Sequence, residues 1–419
     1  MESFLSRETR LSEKERRNLS ILDAIRRGTE ISRADISKVT DLNIVTVSNY
    51  VGKYIKSKLV FETGLDISTG GRRPELLKLN RQHGYSIGID LGAPHLTIDT
   101  SIRAVIMDLS GAVVASKNIK KEYCSFDKLS EKVMDLAGDL VDSTGINQQD
   151  IKGIGVGIWG VMDRYKGTVR YAVENEQIIS YTGLLNQLEM RFSAPAIIEH
   201  DATLAAFGER WSGMGAGSSA NNLIFMCSDS SCGLVIRGEL YYGASKSAGE
   251  LNLNPPYSGD GEKTGNCWES YEFGCCMRSR GIDLGVQAAV RKTIQETPDT
   301  GAAILAEAGG NIDKVDLDTV IEAASKGDAL AKQVLEEAGS YLGAKMSFLI
   351  NLFNPEVVVV GRGVEKAGDV FFSAVRRSVK RWAYDETVKI VKILPTSLGE
   401  DVVAVGAAGL VIQDFFAKV

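Results

Sequence analysis

Two stretches of this chain open in the same way, and that limits what it can fold into. Residues 85–92 read YSIGIDLG, an apolar run into glycine, and RAVIMDLSGAVVASKNI continues it as a hairpin with Gly111 in the turn. Residues 221–243, NNLIFMCSDSSCGLVIRGELYYG, again give two strand-like runs about a tight turn. Each opening is followed by helical and strand-like segments, so the pattern predicts two similar lobes with a ligand cleft between them. A length of 419 residues, beyond the size at which a single hydrophobic core keeps growing, agrees with more than one domain.

The segments between these openings fit an α/β class with mixed sheets covered by helices. A helix is expected from about Phe126 to Ser143, then the strand IKGIGVGIWG and a hairpin strand GTVRYAV. A helix around Leu184–Arg191 and the strand APAIIEHD lead into a helix over Ala202–Arg210. Farther on, a helix from about Ala329 to Leu352 precedes the buried strand of NPEVVVVGRGV, and VGAAGLVIQDFF reads as a packed final helix. Glycine at 43 residues against 8 prolines suits an architecture of many tight turns.

Residues 1–80 have a different character. They hold 15 Lys and Arg against 11 Asp and Glu, whereas the whole chain has 48 against 54, so a mildly basic module precedes an acidic remainder. Leu19, Leu22 and Ile25 share one face of a helix from about Ser12 to Arg27 that stops at Gly28. Ser32 with Asp35 three residues on is a capping box opening a short helix through Val39. A turn at Thr40–Asn43 leads to a helix over Ile44–Ser57, whose Val47, Val51 and Tyr54 can face a core. Thr46, Ser48, Asn49 and Lys53 are then left near or on the opposite side. Two short helices about a tight turn form the helix-turn-helix arrangement that reads a major groove. The strand-like Leu59–Glu62 and Leu76–Leu79 flank STGGRRPE, giving a β-wing with Arg72 and Arg73 at its tip, placed for phosphates or the minor groove. The domain expectation is a winged helix-turn-helix DNA-binding domain over 1–80 and a two-lobed domain over 81–419. The lobes are set at about 81–200 with a C-terminal return and about 201–400. A basic hairpin beside a helical pair that grips a partner protein is the alternative for residues 1–80.

Several classes are disfavoured. No apolar run reaches the length of a membrane span, and MESFLSRETRLSEKERR is charged where a secretory signal would be apolar, so the expectation is a cytoplasmic protein with no membrane partner. Six irregularly spaced cysteines do not make a disulfide framework in a chain this long.

The winged helix with GGRRP, followed in order by GIDLG, GVGIWG, EHDATLAAFGE, GELYYGASKSAGE, CWESY and NPEVVVVG, resembles the ROK family of repressors and sugar kinases, over about residues 15–415. The resemblance implies an actin/hexokinase-like ATPase fold with a sugar bound between two lobes. It also implies, for members carrying a winged helix, sugar-responsive transcriptional regulation. In family kinases the base aspartate lies in an Asn-Asp pair, matched here by His200 and Asp201. Glu250 of AGE and Glu269 of CWESY match acidic sugar ligands, and Asn175 of AVENEQ matches a loop asparagine. Carboxylates and an amide around a small cleft can select among vicinal hydroxyls, because leaving a buried polar group unpaired is costly. The bland reading of these residues is surface acids, and of Asp201 a helix N-cap.

The nucleotide machinery departs from the family. The kinase turn Asp-x-Gly-Gly-Thr is here Asp90-Leu91-Gly92-Ala93-Pro94, and a proline removes an N–H where backbone donors must reach phosphate. The second turn reads Ser228-Asp229-Ser230-Ser231-Cys232-Gly233, with Asp229 expected to add negative charge beside a triphosphate. Poor binding of ATP and magnesium is expected, and no catalytic residue is assigned, Asp201 being the base if kinase activity survives. The family zinc site takes one histidine and three cysteines. Here Leu253 stands at the histidine position and only Cys267 is aligned, with Cys275 and Cys276 nearby, so no zinc and no other cofactor is expected.

These readings predict a repressor that binds operator DNA, responds to a small sugar or sugar phosphate, and acts as a homodimer or dimer of dimers, since paired half-sites call for two-fold symmetry. An active ATP-dependent sugar kinase with an appended DNA-binding domain is the alternative.

Overall fold

The computed structural model describes residues 11–65, 75–92, 101–120, 126–163, 167–170, 178–213, 216–251 and 283–419. Helix α1 spans Glu13–Gly28 and starts with a capping box, the Ser12 side chain accepting from the Glu15 amide and Glu15 reaching back to the Ser12 amide. Leu22 and Ile25 are fully buried, as the spacing predicts, together with Ile21, while Leu19 is half-buried. Strand β1 (Ile31–Ser32) leads into α2 (Arg33–Thr40), where Ser32 takes the amide of Asp35 at 3.2 Å. Asn43 caps α3 (Ile44–Lys56) through the Thr46 amide at 2.8 Å. Val47, Val51 and Tyr54 form the buried face of α3. Strands β2 (Val60–Leu65) and β3 (Glu75–Leu79) make an antiparallel hairpin that β1 joins, with Ile31 opposite Leu77. A two-residue strand such as β1 is too short to show period-two alternation, which is why the sequence reads only as a cap there. Arg72 and Arg73 lie outside the described residues.

The chain divides into two compact units. One comprises the described residues of 1–170, 178–199 and 403–419, so it includes the winged helix. Its sheet contains β4 (Tyr85–Asp90), β5 (Ser101–Asp108), β6 (Val113–Lys120) and, after α4 (Phe126–Thr144), β7 (Ile151–Ile158). A small meander follows, β8 (Val161–Asp163), β9 (Thr168–Arg170) and β10 (Ile178–Ser180). Helix α5 (Thr182–Phe192) and strand β11 (Ala196–His200) complete the order β11-β7-β4-β5-β6, with β4 antiparallel to β5 and parallel to β7.

The C-terminal helix, Val402–Lys418, lies on this sheet at backbone distance. A Cβ built on Gly88 of β4 would sit 1.9 Å from the Ala404 carbonyl oxygen, and one on Gly155 of β7 2.4 Å from that of Ala407. Helix and sheet therefore meet through glycine on one side and fully buried Ala404, Ala407 and Ala408 on the other. The helix also reaches the winged helix. The side-chain amide of Asn18, 1% exposed, donates to the carbonyls of Ala417 at 3.1 Å and Val419 at 2.6 Å, and its oxygen accepts the Tyr54 hydroxyl at 2.7 Å.

The second unit holds the described residues of 200–402. After α6 (Asp201–Trp211) and the short α7 (Ala216–Ser219) come β12 (Leu223–Met226), β13 (Cys232–Ile236) and β14 (Glu239–Leu240). Helices α8 (Val286–Glu296), α9 (Ala302–Glu307), α10 (Leu317–Ser325) and α11 (Ala329–Phe353) precede β15 (Val357–Val360), α12 (Gly368–Trp382), α13 (Asp385–Val388) and β16 (Lys392–Pro395). The sheet order is β14-β13-β12-β15-β16, with β12 antiparallel to β13 and parallel to β15. This repeats the scheme of the first sheet, a central strand between a hairpin partner and a parallel strand. The repetition of strand-turn-strand openings in the sequence is therefore a repetition of topology. Phe371, Leu342, Met346 and Val375 of the packed pair α11 and α12 join Val358 and Val360 in one core.

Candidate functional site

In the second unit β12 and β15 run parallel with Met226 opposite Val360, so the turns that follow them, 227–231 and 361–363, leave the same edge of the sheet. The carboxyl ends of adjacent parallel strands are where open α/β sheets bind ligands. Acidic side chains and cationic or ring groups lie in or near these turns.

Asp201 is the first residue of α6 and only 1% exposed. The N-cap is His200, not Asp201, and it makes no side-chain capping bond, so the N-cap alternative for Asp201 is corrected by one position. Asp201 Oδ1 accepts the amide of Ala202 at 2.7 Å, and its Oδ2 accepts Nη2 of Arg362 at 3.1 Å. His200 Nε2 lies 3.5 Å from Asp201 Oδ1 and 3.4 Å from Glu250 Oε1. Three of the residues read as sugar ligands are thus brought together; Asn175 and Glu269 lie outside the described residues.

Glu250 is placed by backbone pairing. The amide of Cys232 donates to the Gly249 carbonyl at 2.8 Å and that of Leu251 to the Ser230 carbonyl at 2.8 Å, pairing Ser231 with Glu250. Gly249 has φ +101°, and a Cβ there would stand 1.9 Å from the Cys232 carbonyl oxygen, so only glycine fits before this glutamate. Burial pushes the Cys232 thiol up to about 12, with the charge of Glu250 adding to the shift, so it stays protonated and serves as a small apolar group.

Asp229 requires a correction. The sequence suggests a carboxylate repelling phosphate; the structure buries it fully and bonds its Oδ2 to the Tyr341 hydroxyl at 2.8 Å. Lys345 Nζ lies 3.8 Å from the same oxygen and donates to the Asp229 carbonyl. The charge of Asp229 is offset by a buried lysine of α11, and its role is to tie the turn after β12 to that helix. Beside it Ser228 Oγ and Ser230 Oγ are 2.7 Å apart and Ser228 accepts the Ser230 amide, so these hydroxyls close the turn on itself. Gly92 donates to Asp90 Oδ1 at 2.8 Å in the first unit, while Ala93 and Pro94 lie outside the described residues.

Sequence reasoning missed Arg362, Lys345 and Tyr341. A signal existed for the first: an arginine flanked by Gly361 and Gly363 directly after four valines. Arg362 adopts φ +73°, a left-handed conformation that costs a non-glycine residue about 1–2 kcal/mol. The turn is fixed by Glu365 accepting the Gly363 amide at 2.6 Å, and burial raises the Glu365 carboxyl above its ordinary range. Among the described residues no group of three or more His, Cys, Asp or Glu is arranged to hold a metal ion; Leu253, Cys267, Cys275 and Cys276 lie outside them.

On α3 the face away from the core is exposed at Asn49 and Lys53 and half-exposed at Thr46 and Ser48. Lys53 Nζ lies 5.3 Å from the Tyr50 ring centre. Val45 is 66% exposed and Ile44 45%, so the start of α3 presents apolar groups, the kind that contact thymine methyls.

A helical module with a β-hairpin stands ahead of two α/β units of repeated topology, the second with an acid-rich sheet edge. The chain belongs to the ROK family, whose sequence profile matches residues 86–414. It is 27% identical over 400 residues to the xylose repressor of Bacillus spizizenii, covering 94% of each chain. It is 25% identical over 354 residues to NagC of Escherichia coli, a DNA-binding transcriptional dual regulator, covering 84% of this chain and 82% of that one. Among solved structures, a ROK family transcriptional regulator homologous to the E. coli MLC protein matches 97% of this chain and 98% of its own, with a TM-score of 0.70 at 19% identity. A ROK glucokinase from Streptomyces griseus, in complex with glucose and AMPPNP, matches 78% of this chain and 99% of its own, with a TM-score of 0.63 at 24% identity. The mixed α/β ROK fold expected from the sequence is thereby established. No helix among the described residues is long and apolar enough to cross a membrane.

Proposed function

We propose that this protein is a sugar-responsive transcriptional repressor of the cytoplasm, binding operator DNA through its winged helix and a monosaccharide at the Asp201–Glu250 cluster. The observation that carries this reading is the reach of the match to the xylose repressor. Its 400 residues cannot fit within the family segment 86–414, so the similarity extends into the winged helix. The effector class is a monosaccharide: Asp201 and Glu250 are acceptors for hydroxyl groups, and His200 adds a ring nitrogen able to donate or accept. Asn175 and Glu269 are proposed to complete the site. Thr46, Ser48, Asn49 and Lys53 face the major groove in this reading, and Arg72 and Arg73 take phosphates or the minor groove. A homodimer is proposed because paired half-sites need two winged helices. The sugar must bind the DNA-competent and DNA-incompetent states unequally for anything to switch.

A thermal-shift screen with D-xylose, D-glucose and N-acetyl-D-glucosamine tests the effector. A ligand present at 100 times its Kd stabilises the folded state by about 2.7 kcal/mol, so a binding sugar raises the melting temperature measurably. Asp201→Asn and Glu250→Gln are expected to reduce that rise strongly while leaving weaker binding measurable, and variants that retain it in full would disprove the assignment of the pocket. A coupled ADP-release assay with the same sugars is expected to show no turnover.

DNA binding has its own signature. Lys53→Ala is expected to weaken binding on all sequences alike and to lower the salt slope by about one, whereas Asn49→Ala relaxes discrimination by about 1–3 kcal/mol at one base pair. A gel-shift titration over salt and operator variants reads both, and equal slopes for Lys53→Ala and wild type would remove Lys53 from the interface.

A further inference from the structure

We propose that Arg362 is a positioning residue for the carbohydrate site, holding Asp201 as an oriented hydrogen-bond acceptor for a neutral sugar; this rests on the effector reading above. Three observations support it. Arg362 reaches Asp201 Oδ2 at 3.1 Å with both side chains nearly buried, at 10% and 1% exposure, so the contact is a desolvated pair of the strong, charge-assisted kind. The arginine keeps a left-handed backbone at φ +73° between two glycines, which the ion pair must offset. The other carboxylate oxygen is held at 2.7 Å by the Ala202 amide, so the plane of the carboxylate is fixed from both sides.

The chemistry follows from that geometry. A carboxylate has about four lone-pair positions, and two here are used by the protein, leaving the rest directed acceptors for ligand hydroxyls. Arg362 in turn is engaged by a carboxylate, which favours an uncharged polyol over a sugar phosphate as the group bound there.

The test is calorimetric titration of the full-length protein with D-xylose, D-glucose, N-acetyl-D-glucosamine and glucose 6-phosphate, comparing wild type, Arg362→Met, Arg362→Lys, Asp201→Asn and the Arg362→Met/Asp201→Asn double variant. Wild type is expected to bind one of the neutral sugars at least tenfold more tightly than the phosphate. Arg362→Met should weaken that neutral sugar by tenfold or more, and Arg362→Lys should recover much of the loss. Because Arg362 acts through Asp201, the double variant should bind no worse than Asp201→Asn alone; a merely structural role would make the two losses add. Unchanged affinity in Arg362→Met, or additive losses in the double variant, overturns the proposal while leaving the effector reading intact. A wild type that binds only the phosphate overturns the neutral-ligand part, and one that binds none of the four overturns both. If Arg362→Met fails to fold, Arg362→Lys decides alone: affinity within threefold of wild type supports the proposal, and a tenfold loss in a protein of unchanged melting temperature and DNA affinity overturns it.

Discussion

Gly88→Ala is expected to yield little or no folded protein, although it adds a single methyl group. The new Cβ would lie 1.9 Å from the Ala404 oxygen, 2.9 Å from its carbonyl carbon and 2.7 Å from the Ala408 nitrogen. All three are backbone atoms, so no rotamer change relieves the clash and the C-terminal helix itself must withdraw. Withdrawal by more than an ångström opens the contact at Gly155 and Ala407 as well, exposing the fully buried Ala404, Ala407 and Ala408 of the helix and the sheet face they cover. Overpacking alone costs typically about 1–3 kcal/mol, and the coupled loss of helix-on-sheet burial adds to it, so a loss above about 3 kcal/mol is expected out of a total stability of about 5–15. Soluble yield and the urea midpoint report the effect. Gly52→Ala is the control: its Cβ meets nothing within 4 Å in the middle of α3, so helix propensity should leave the protein unchanged or more stable by about 0.5–1 kcal/mol. A Gly88→Ala protein melting with wild type would mean the helix is not seated on this sheet.

Gly88 also shows what the sequence discloses and what it withholds. YSIGIDLG reads at once as a buried strand, because apolar residues run into a glycine turn. Why position 88 is glycine is not readable, since the cause is a helix more than 300 residues later in the chain. The same division holds throughout. The cap at Ser32, the buried face Val47, Val51, Tyr54 and the span of α11 are local, and local patterns carry them. At the sheet edge, Asp201 and Glu250 could be picked out through their resemblance to a family pattern, yet their partners could not. Arg362 comes from a turn 161 positions away and Lys345 approaches Asp229 from 116 positions away. Asp229 is the instructive case: as a letter it adds a negative charge, but Lys345 and the Tyr341 hydroxyl, both on α11, turn that charge into an internal tether. Electrostatic inference from a sequence fails wherever the counter-charge is brought by tertiary structure.

The second large effect is expected at Asn18, where the winged helix is fastened to the C-terminal helix. Asn18→Ala removes two donors and one acceptor at once, leaving the carbonyls of Ala417 and Val419 and the Tyr54 hydroxyl without this partner in a site where Asn18 and Tyr54 are 1% exposed. Each buried polar group so deprived costs about 1–3 kcal/mol, giving an expected loss of about 3 kcal/mol once part of the site is rehydrated. Tyr54→Phe removes one bond of the three and should cost about 1 kcal/mol. Burial raises the Tyr54 hydroxyl above its ordinary range, so it remains a donor throughout the accessible pH range and the link should not loosen with pH. Denaturant titration of both single variants and the double variant gives the cycle. Because the residues share a bond, the double loss should fall below the sum of the single losses. Hydrogen exchange locates the effect: in Asn18→Ala the amides of α1 and α3 should exchange faster while those of β4 and β7 keep their protection. Tyr54 lies on α3, the helix that carries Asn49 and Lys53, and the C-terminal helix lies on Gly88 and Gly155, so Asn18 joins α3 to the sheet of the same unit through two contacts. If α3 exchanges no faster in Asn18→Ala than in wild type, that joint does not hold α3 in place.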